Sequence, residues 1–336
     1  MNIAIVGATG NVGRKIIEVL EKKKVQIENL YLLASSRSEG KKISFNGQEL
    51  TVGDLEKFDF SIVKIAFFAA GSSIAEKWAH IAAEKTVVID NSKFFRKDPD
   101  IPLIVPEVNS RQLAQVKNSN IIANANCSVI PVVVALKPLH DLYNVNRIVI
   151  STYQSVSGAG KEPMDELLSQ TQDYFNNKKL ESKNFTKQIA FNAIPHIDSF
   201  LENGYTKEEQ KTTDEIKKIL DKKIKITSTC VRIPVLVSHS ISVNVEFNKK
   251  CNLDEIRKVL STSPGCKVVD EHKDGGYITP VEAEDKFETF ISRIRLDDSR
   301  ANSINMWIVS DNLLKGAALN AIQIAEALIK EDFYGQ

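Results

Sequence analysis

Cys127 is the side chain on which a covalent chemistry could be built. It lies in Ile121-Ile122-Ala123-Asn124-Ala125-Asn126-Cys127-Ser128, which reads as a strand running into an apolar helix that begins near Cys127. A cysteine at a helix N-terminus feels the positive end of the backbone dipole, which lowers its pKa and raises its thiolate fraction. That is where a nucleophile belongs. Cys230, Cys251 and Cys266 are scattered, with no CxxC spacing to suggest zinc or a redox pair, and they read as packing residues. No metal site is expected.

A nucleophilic thiol needs a proton partner. The chain has five histidines. His80 and His140 fall in predicted helices and His272 in a charged loop, so packing or surface positions are expected for them. His196, after Pro195, and His239, opening an alternating strand, are better placed. Spacing alone leaves both open.

A second segment suits a phosphate. Gly7-Ala8-Thr9-Gly10-Asn11-Val12-Gly13 stands between the first predicted strand and the first predicted helix. Glycines there let the backbone approach a pyrophosphate, whose charge rests on the unpaired N–H groups of the helix N-terminus. The spacing is a GxxGxxG variant of the dinucleotide fingerprint. NAD sites usually add a carboxylate at the end of the second strand. Here that strand ends in Ala34-Ser35-Ser36-Arg37-Ser38, and an arginine flanked by hydroxyls suits a 2′-phosphate, so NADP is favoured over NAD.

The elements that must hold these groups follow from the patterning. Apolar runs at Ile3 to Val6, Asn29 to Ala34, Lys64 to Ala69 and Thr86 to Ile89 alternate with helical stretches at Val12 to Lys22 and Ile74 to Ala83, the signature of parallel βαβ units. The first part is therefore expected to be an α/β, Rossmann-type doubly wound parallel sheet. After about residue 145 the strands alternate, as in Ile241, Val243, Val245 and Phe247, which marks a sheet with one buried face. Arg147 to Gln154, Ile226 to Pro234, Phe287 to Leu296 and Ser303 to Ser310 join it in a mostly antiparallel α+β domain. Helices near Lys161 to Phe175, Lys207 to Leu220 and Leu253 to Leu260 would cover one face. A closing helix, Asn312 to Ile329, with a small alanine face, is expected to return to the first domain. The predicted division is 1–126 plus 312–336 for the nucleotide-binding domain and 127–311 for an inserted substrate-binding domain.

Composition bounds the function. With 336 residues the chain has room for two domains. Lys+Arg 44 against Asp+Glu 43 gives a net charge of +1, so no global field draws it to nucleic acid or an anionic membrane, and any anion must be held locally. The longest apolar runs, such as Val129 to Leu136, fall far short of the ~20 residues that span a bilayer. The opening Met1-Asn2-Ile3-Ala4-Ile5-Val6 lacks the pattern of a secretory signal, so a cytoplasmic address is expected.

GATGNVG, Ser35-Ser36-Arg37, Asn126-Cys127-Ser128, Tyr153-Gln154-Ser155-Val156-Ser157-Gly158-Ala159-Gly160, Val231-Arg232-Ile233-Pro234 with Ser238-His239-Ser240, and Asp311-Asn312-Leu313-Leu314-Lys315-Gly316-Ala317-Ala318-Leu319-Asn320 occur in this order. Together they resemble the aspartate-semialdehyde dehydrogenase family over nearly the whole chain. The resemblance implies an oxidoreductase that reduces L-4-aspartyl phosphate to L-aspartate 4-semialdehyde with NADPH through a cysteine thioester, in the biosynthesis of lysine (through diaminopimelate), threonine and methionine. It implies Cys127 as nucleophile, His239 as acid/base in preference to His196, and Gln154 as the residue that orients the thioester. Arg232 would pair with the substrate carboxylate, Arg96 and Lys211 with phosphate, Asn126 would add a donor, and Glu208 would meet the substrate ammonium. Gly7, Thr9, Gly10, Asn11, Val12, Ser35, Arg37, Ser38, Ser157, Gly158 and Asn312 would hold the cofactor. A homodimer is implied.

Thr206 with Glu209 also fits a helix capping box, leaving Glu208 and Lys211, three apart, on one helix face. One departure stands out: the family commonly has glycine where this chain has Ser238, so the aim of His239 could be altered. The competing readings are N-acetyl-gamma-glutamyl-phosphate reductase, whose substrate has no free ammonium for Glu208, and a non-catalytic nucleotide-binding paralogue, which would be expected to lose Cys127, Gln154, Arg232 or His239.

Overall fold

The continuous apolar run Ile3-Ala4-Ile5-Val6 forms β1 with all four side chains buried, as expected of a strand covered on both faces. The computed structural model describes residues 1–330. Contacts divide the chain into two units, Met1–Ala125 with the segment from Ala317, and Asn126–Gly316.

In the first unit β1 (Ile3–Val6) leads to α1 (Asn11–Lys22) and β2 (Leu30–Ala34), followed by β3 (Lys42–Phe45), β4 (Gln48–Asp54), β5 (Ile65–Phe68), α2 (Ser72–Ala83), β6 (Val87–Asp90), β7 (Leu103–Ile104), α3 (Pro106–Asn109) and β8 (Ile121–Asn124). The sheet order is β3-β4-β2-β1-β5-β6-β8-β7. Its pairings are parallel except for β3 with β4. This is the expected doubly wound architecture with two additions absent from the reading of the sequence, the short edge strand β7 and a hairpin. The hairpin's signal is Asn46-Gly47, whose φ values of 50° and 76° are those of a tight two-residue turn between antiparallel strands.

The second unit holds α4 (Val129–Tyr143), β9 (Val145–Gln154), α5 (Lys161–Phe175), α6 (Lys207–Ile219), β10 (Lys225–Arg232), β11 (His239–Phe247), α7 (Leu253–Thr262), β12 (Cys266–Val268), α8 (Pro280–Ala283), β13 (Thr289–Leu296) and β14 (Ser303–Ser310). The order is β10-β9-β11-β14-β13-β12. The inner pairs are antiparallel and the two outer pairs, β9 with β10 and β12 with β13, are parallel. Helix α4, apolar nearly all round, packs on β9, β11, β13 and β14, with α6 on β10 and α7 on β12 and β13. Helix α5 was expected on the same face. Its strongest contacts are instead with the turn Val156–Ala159, where Leu167 joins Val156, Ile189, Ala190 and Ile194 in a separate apolar cluster.

The closing helix differs from the continuous one expected over Asn312 to Ile329. Residues Leu314–Ala318 form a π-helical turn, and the α-helix, α9, spans Leu319–Lys330. The extra residue of a π turn re-aims the side chains before it, a device frequent at functional sites. Helix α9 packs on α1, α3 and β6 in the first unit.

Candidate active site

Strand register brings three polar side chains to one end of the second sheet. Parallel pairing sets Gln154, the last residue of β9, beside Arg232, the last of β10. Antiparallel pairing of Tyr153 with Ser240 places His239, the first residue of β11, at the same end. All three are buried, with exposures of 2%, 6% and 0%. Gly158 lies against two of them: a Cβ there would sit 3.1 Å from the His239 ring and 3.2 Å from Arg232 Nη1. The bare backbone thus makes room for both. Arg232 donates from Nη1 to the Ser155 carbonyl at 2.6 Å.

Cys127 sits in the turn entering α4, where Val129 and Ile130 donate their N–H groups to the Asn126 carbonyl at 2.9 and 3.0 Å. Every polar group of Asn126 is engaged. Its Nδ2 donates to Glu208 Oε1 at 3.0 Å and its N–H to Glu215 Oε2 at 2.7 Å, while Oδ1 accepts the N–H and hydroxyl of Ser128, both at 2.9 Å. A Cβ on Gly316 would lie 2.9 Å from Cys127 Cβ. The π turn thus sets a residue without a side chain against the Cα and Cβ of Cys127. Cys230 is chemically different, since burial pushes its thiol up to about 12. Burial also raises Cys251.

Cys127 Sγ lies 3.2 Å from His239 Nε2. His239, not His196, is the partner of the thiol; the His196 ring stacks on Phe200 with centroids 4.4 Å apart. Burial, reinforced by the nearby Arg232 cation, depresses His239 to about 3, so its ring is neutral at physiological pH. Asn312 braces this histidine. Its Oδ1 accepts the Ser238 N–H at 2.8 Å and the hydroxyls of Ser155 and Ser157 at 3.0 and 3.2 Å, and its Nδ2 donates to Ser157 Oγ at 3.0 Å. Ser238 has φ of 74°. It takes up the left-handed backbone that glycine would supply, and the aim of His239 at the thiol is kept.

The capping box at the start of α6 is present: Glu209 donates its N–H to Thr206 Oγ1 and accepts the Thr206 N–H with Oε2. Glu208 and Lys211 form the pair their spacing predicts, at 2.6 Å. Burial alone would raise Glu208, but the Lys211 ammonium and the Asn126 amide hold its carboxyl below the usual range. Lys211 also meets Asp198 at 3.0 Å, a partner the sequence did not reveal. The two carboxylates outweigh burial and raise Lys211. Gln154 donates to Thr152 Oγ1 at 3.2 Å.

In the first unit, Gly7, Thr9, Gly10, Ser35, Ser36 and Arg37 line a cavity of about 540 Å³, with Lys77 and Trp78 of α2 on its wall. Gly7 has φ of 88°, and a Cβ on it would come within 2.6 Å of the Ala69 carbonyl oxygen, so only glycine fits. Gly10, the N-cap of α1, provides no side-chain cap, and Asn11 and Val12 open the helix behind it. A glycine cradle at a helix N-terminus with an arginine on the rim fits a dinucleotide bearing a 2′-phosphate. Ser38 lies beyond the rim and accepts from Lys41 at 3.3 Å. Arg96, also in this unit, donates to the Asn91 carbonyl at 3.0 Å. Among the described residues no cluster of side chains suits a metal ion.

Residues 2–116 match the model of the semialdehyde dehydrogenase NAD binding domain, and residues 136–315 match that of the semialdehyde dehydrogenase dimerisation domain. The aspartate-semialdehyde dehydrogenase of Aquifex aeolicus is 48% identical over 333 residues, 98% of each chain. The crystal structure of aspartate semialdehyde dehydrogenase II of Vibrio cholerae complexed with ASA superposes with a TM-score of 0.96 at 47% identity, covering 98% of both chains. The Candida albicans aspartate semialdehyde dehydrogenase with NADP shares the fold, with a TM-score of 0.75 at 24% identity over 97% of this chain and 98% of that one.

Proposed function

The chain belongs to the aspartate-semialdehyde dehydrogenase family, and we propose that it catalyses the NADPH-dependent reductive dephosphorylation of L-4-aspartyl phosphate to L-aspartate 4-semialdehyde through a thioester on Cys127. The observation that carries the assignment of the nucleophile is the 3.2 Å approach of His239 Nε2 to Cys127 Sγ. The cofactor residues proposed are Gly7, Thr9, Gly10, Asn11 and Val12, the rim residues Ser35 and Arg37 with Ser38 beyond them, and Ser157, Gly158 and Asn312. When bound, NADPH supplies the hydride that reduces the thioester carbonyl.

The Cys127 thiolate attacks the acyl carbon; the C–S bond forms, the C–O bond to phosphate breaks, and phosphate departs. The neutral His239 ring donates from Nε2 toward the sulfur, which favours the thiolate before attack and again when it leaves. Reduction places negative charge on the former carbonyl oxygen, and the Gln154 amide and His239 N–H are proposed to steady it. Expulsion of the Cys127 thiolate then releases the aldehyde, so the thiolate used in attack is regenerated. Arg232, with its planar fork, is proposed to take the substrate carboxylate, Glu208 the ammonium, and Arg96 and Lys211 phosphate. Glu208 supports discrimination in favour of a free amino group, because its carboxyl remains ionised.

The reading also takes the protein to be a cytoplasmic homodimer. The homodimer is supported by the match of the second unit to a dimerisation domain and by the half-buried Tyr153 and Trp307, whose rings pack at 5.4 Å. No helix among the described residues is long and apolar enough to cross a membrane. The test is a spectrophotometric assay of NADP reduction with L-aspartate semialdehyde and phosphate. Cys127→Ala should abolish turnover while leaving NADP binding nearly intact, and appreciable residual turnover would reject Cys127 as the nucleophile.

A further inference from the structure

We propose that Glu215 is a positioning residue for the nucleophile, holding the turn that carries Cys127 through the backbone of Asn126. The proposal rests on the reading of Cys127 as the attacking group. Glu215 lies seven residues after Glu208, two helical turns along one face of α6, and both are turned toward the same residue. Glu208 takes the Asn126 side-chain amide and Glu215 takes its N–H at 2.7 Å. Glu215 is 2% exposed and Asn126 5%. Water therefore cannot readily replace the carboxylate.

The geometry explains why a buried acid is placed here. The Asn126 N–H precedes the first turn of α4 and has no acceptor within that helix. The other polar groups of Asn126 are spent on Ser128, Val129, Ile130 and Glu208. With Glu215 the residue ahead of Cys127 is held at both its N–H and its carbonyl. Without it the Asn126 N–H would turn to find another acceptor, and the neighbouring thiol would leave the His239 ring. Glu215 is too far along the chain from the cysteine motif for its role to be visible as spacing.

The test compares Glu215→Leu, which fills the space without an acceptor, with Glu215→Gln, which keeps an acceptor oxygen. Leu should lower kcat about 100-fold, the scale of a small misplacement of reacting groups, and leave the KM for NADP within about 2-fold. Gln should restore most of the loss. Alkylation of Cys127 by iodoacetamide, located by mass spectrometry on the whole protein without substrate, should slow in the Leu variant and recover in the Gln variant. Because that readout involves no substrate, it is independent of whether aspartyl phosphate is the true one. Wild-type kcat and alkylation in a folded Leu variant, or equal impairment of both variants, would overturn the proposal. Should the Leu variant not fold, Glu215→Asp withdraws the oxygen by one methylene; slower alkylation supports the role and an unchanged rate rejects it.

Discussion

Ser155 donates its backbone N–H to Nδ1 of His239 at 3.1 Å. An amide N–H can only donate, so Nδ1 must be the acceptor, and the single proton of a neutral ring is left on Nε2, facing Cys127 Sγ at 3.2 Å. One peptide group thus selects the tautomer that can stabilise a thiolate.

The neutrality of His239 has a measurable cost in acid. Its folded value of about 3 lies below its ordinary 6.5, so between those values the unfolded chain binds a proton that the folded chain does not. Stability is therefore intact above the unfolded value and lost as pH falls below it, by about 1.4 kcal/mol per unit. Urea unfolding of the wild type and of His239→Asn at about pH 7.5 and about pH 5.5 should show the wild type losing about 1.4 kcal/mol more than the variant. Parallel losses would mean that the ring is protonated in the folded protein.

Ser238 pays for this geometry with a left-handed backbone, at φ of 74°. Its hydroxyl is also buried with no hydrogen-bond partner among the described residues. Ser238→Gly should remove both penalties, partly offset by the greater freedom of glycine in the unfolded chain, for a net gain of about 1 kcal/mol. The N–H bond to Asn312 is kept, so kcat should stay within about 2-fold. Thermal unfolding with steady-state kinetics checks both; a loss of activity would show that the serine hydroxyl, and not only its backbone, contributes.

Gly316→Ala should do the reverse. The added methyl would stand 2.9 Å from Cys127 Cβ and 3.3 Å from its carbonyl oxygen, too close for either to remain in place. Overpacking of this kind costs about 1 to 3 kcal/mol, and displacement of the thiol from His239 should lower kcat by at least about 10-fold. Melting temperature and kcat measured together separate the two effects, and an unchanged kcat would show that the turn accommodates the methyl.

Some of this site is legible in the sequence and some is not, for physical reasons. Asn126-Cys127-Ser128 and the alternation after His239 are local patterns, and strand register then brings Gln154, Arg232 and His239 together. Glu215 and Asp198 could not be found that way. Glu215 reaches Asn126 across 89 residues, and nothing in a helix of charged residues marks which carboxylate faces inward. The Asn46-Gly47 hairpin carried a local signal that the βαβ pattern overshadowed. The π turn at Leu314–Ala318 was hidden because an alanine-rich run has the same small-residue spacing whether its backbone is α or π.

Arg37 tests the cofactor end. It stands in the short turn Ser36–Ser38 after β2, on the rim of the cavity that Gly7 and Gly10 floor. Lys77 shares that wall, but its ammonium is engaged by Glu56 at 3.0 Å, so Arg37 is the better placed to meet a 2′-phosphate. A charge-assisted contact of this kind is worth about 1.5 to 3 kcal/mol. Arg37→Ala should therefore raise the KM for NADP about 10- to 100-fold and leave that for NAD within about 2-fold. Because the rim is exposed, added salt should weaken NADP binding more in the wild type than in the variant. Equal losses for NADP and NAD would show that Arg37 supports the turn rather than reading the phosphate.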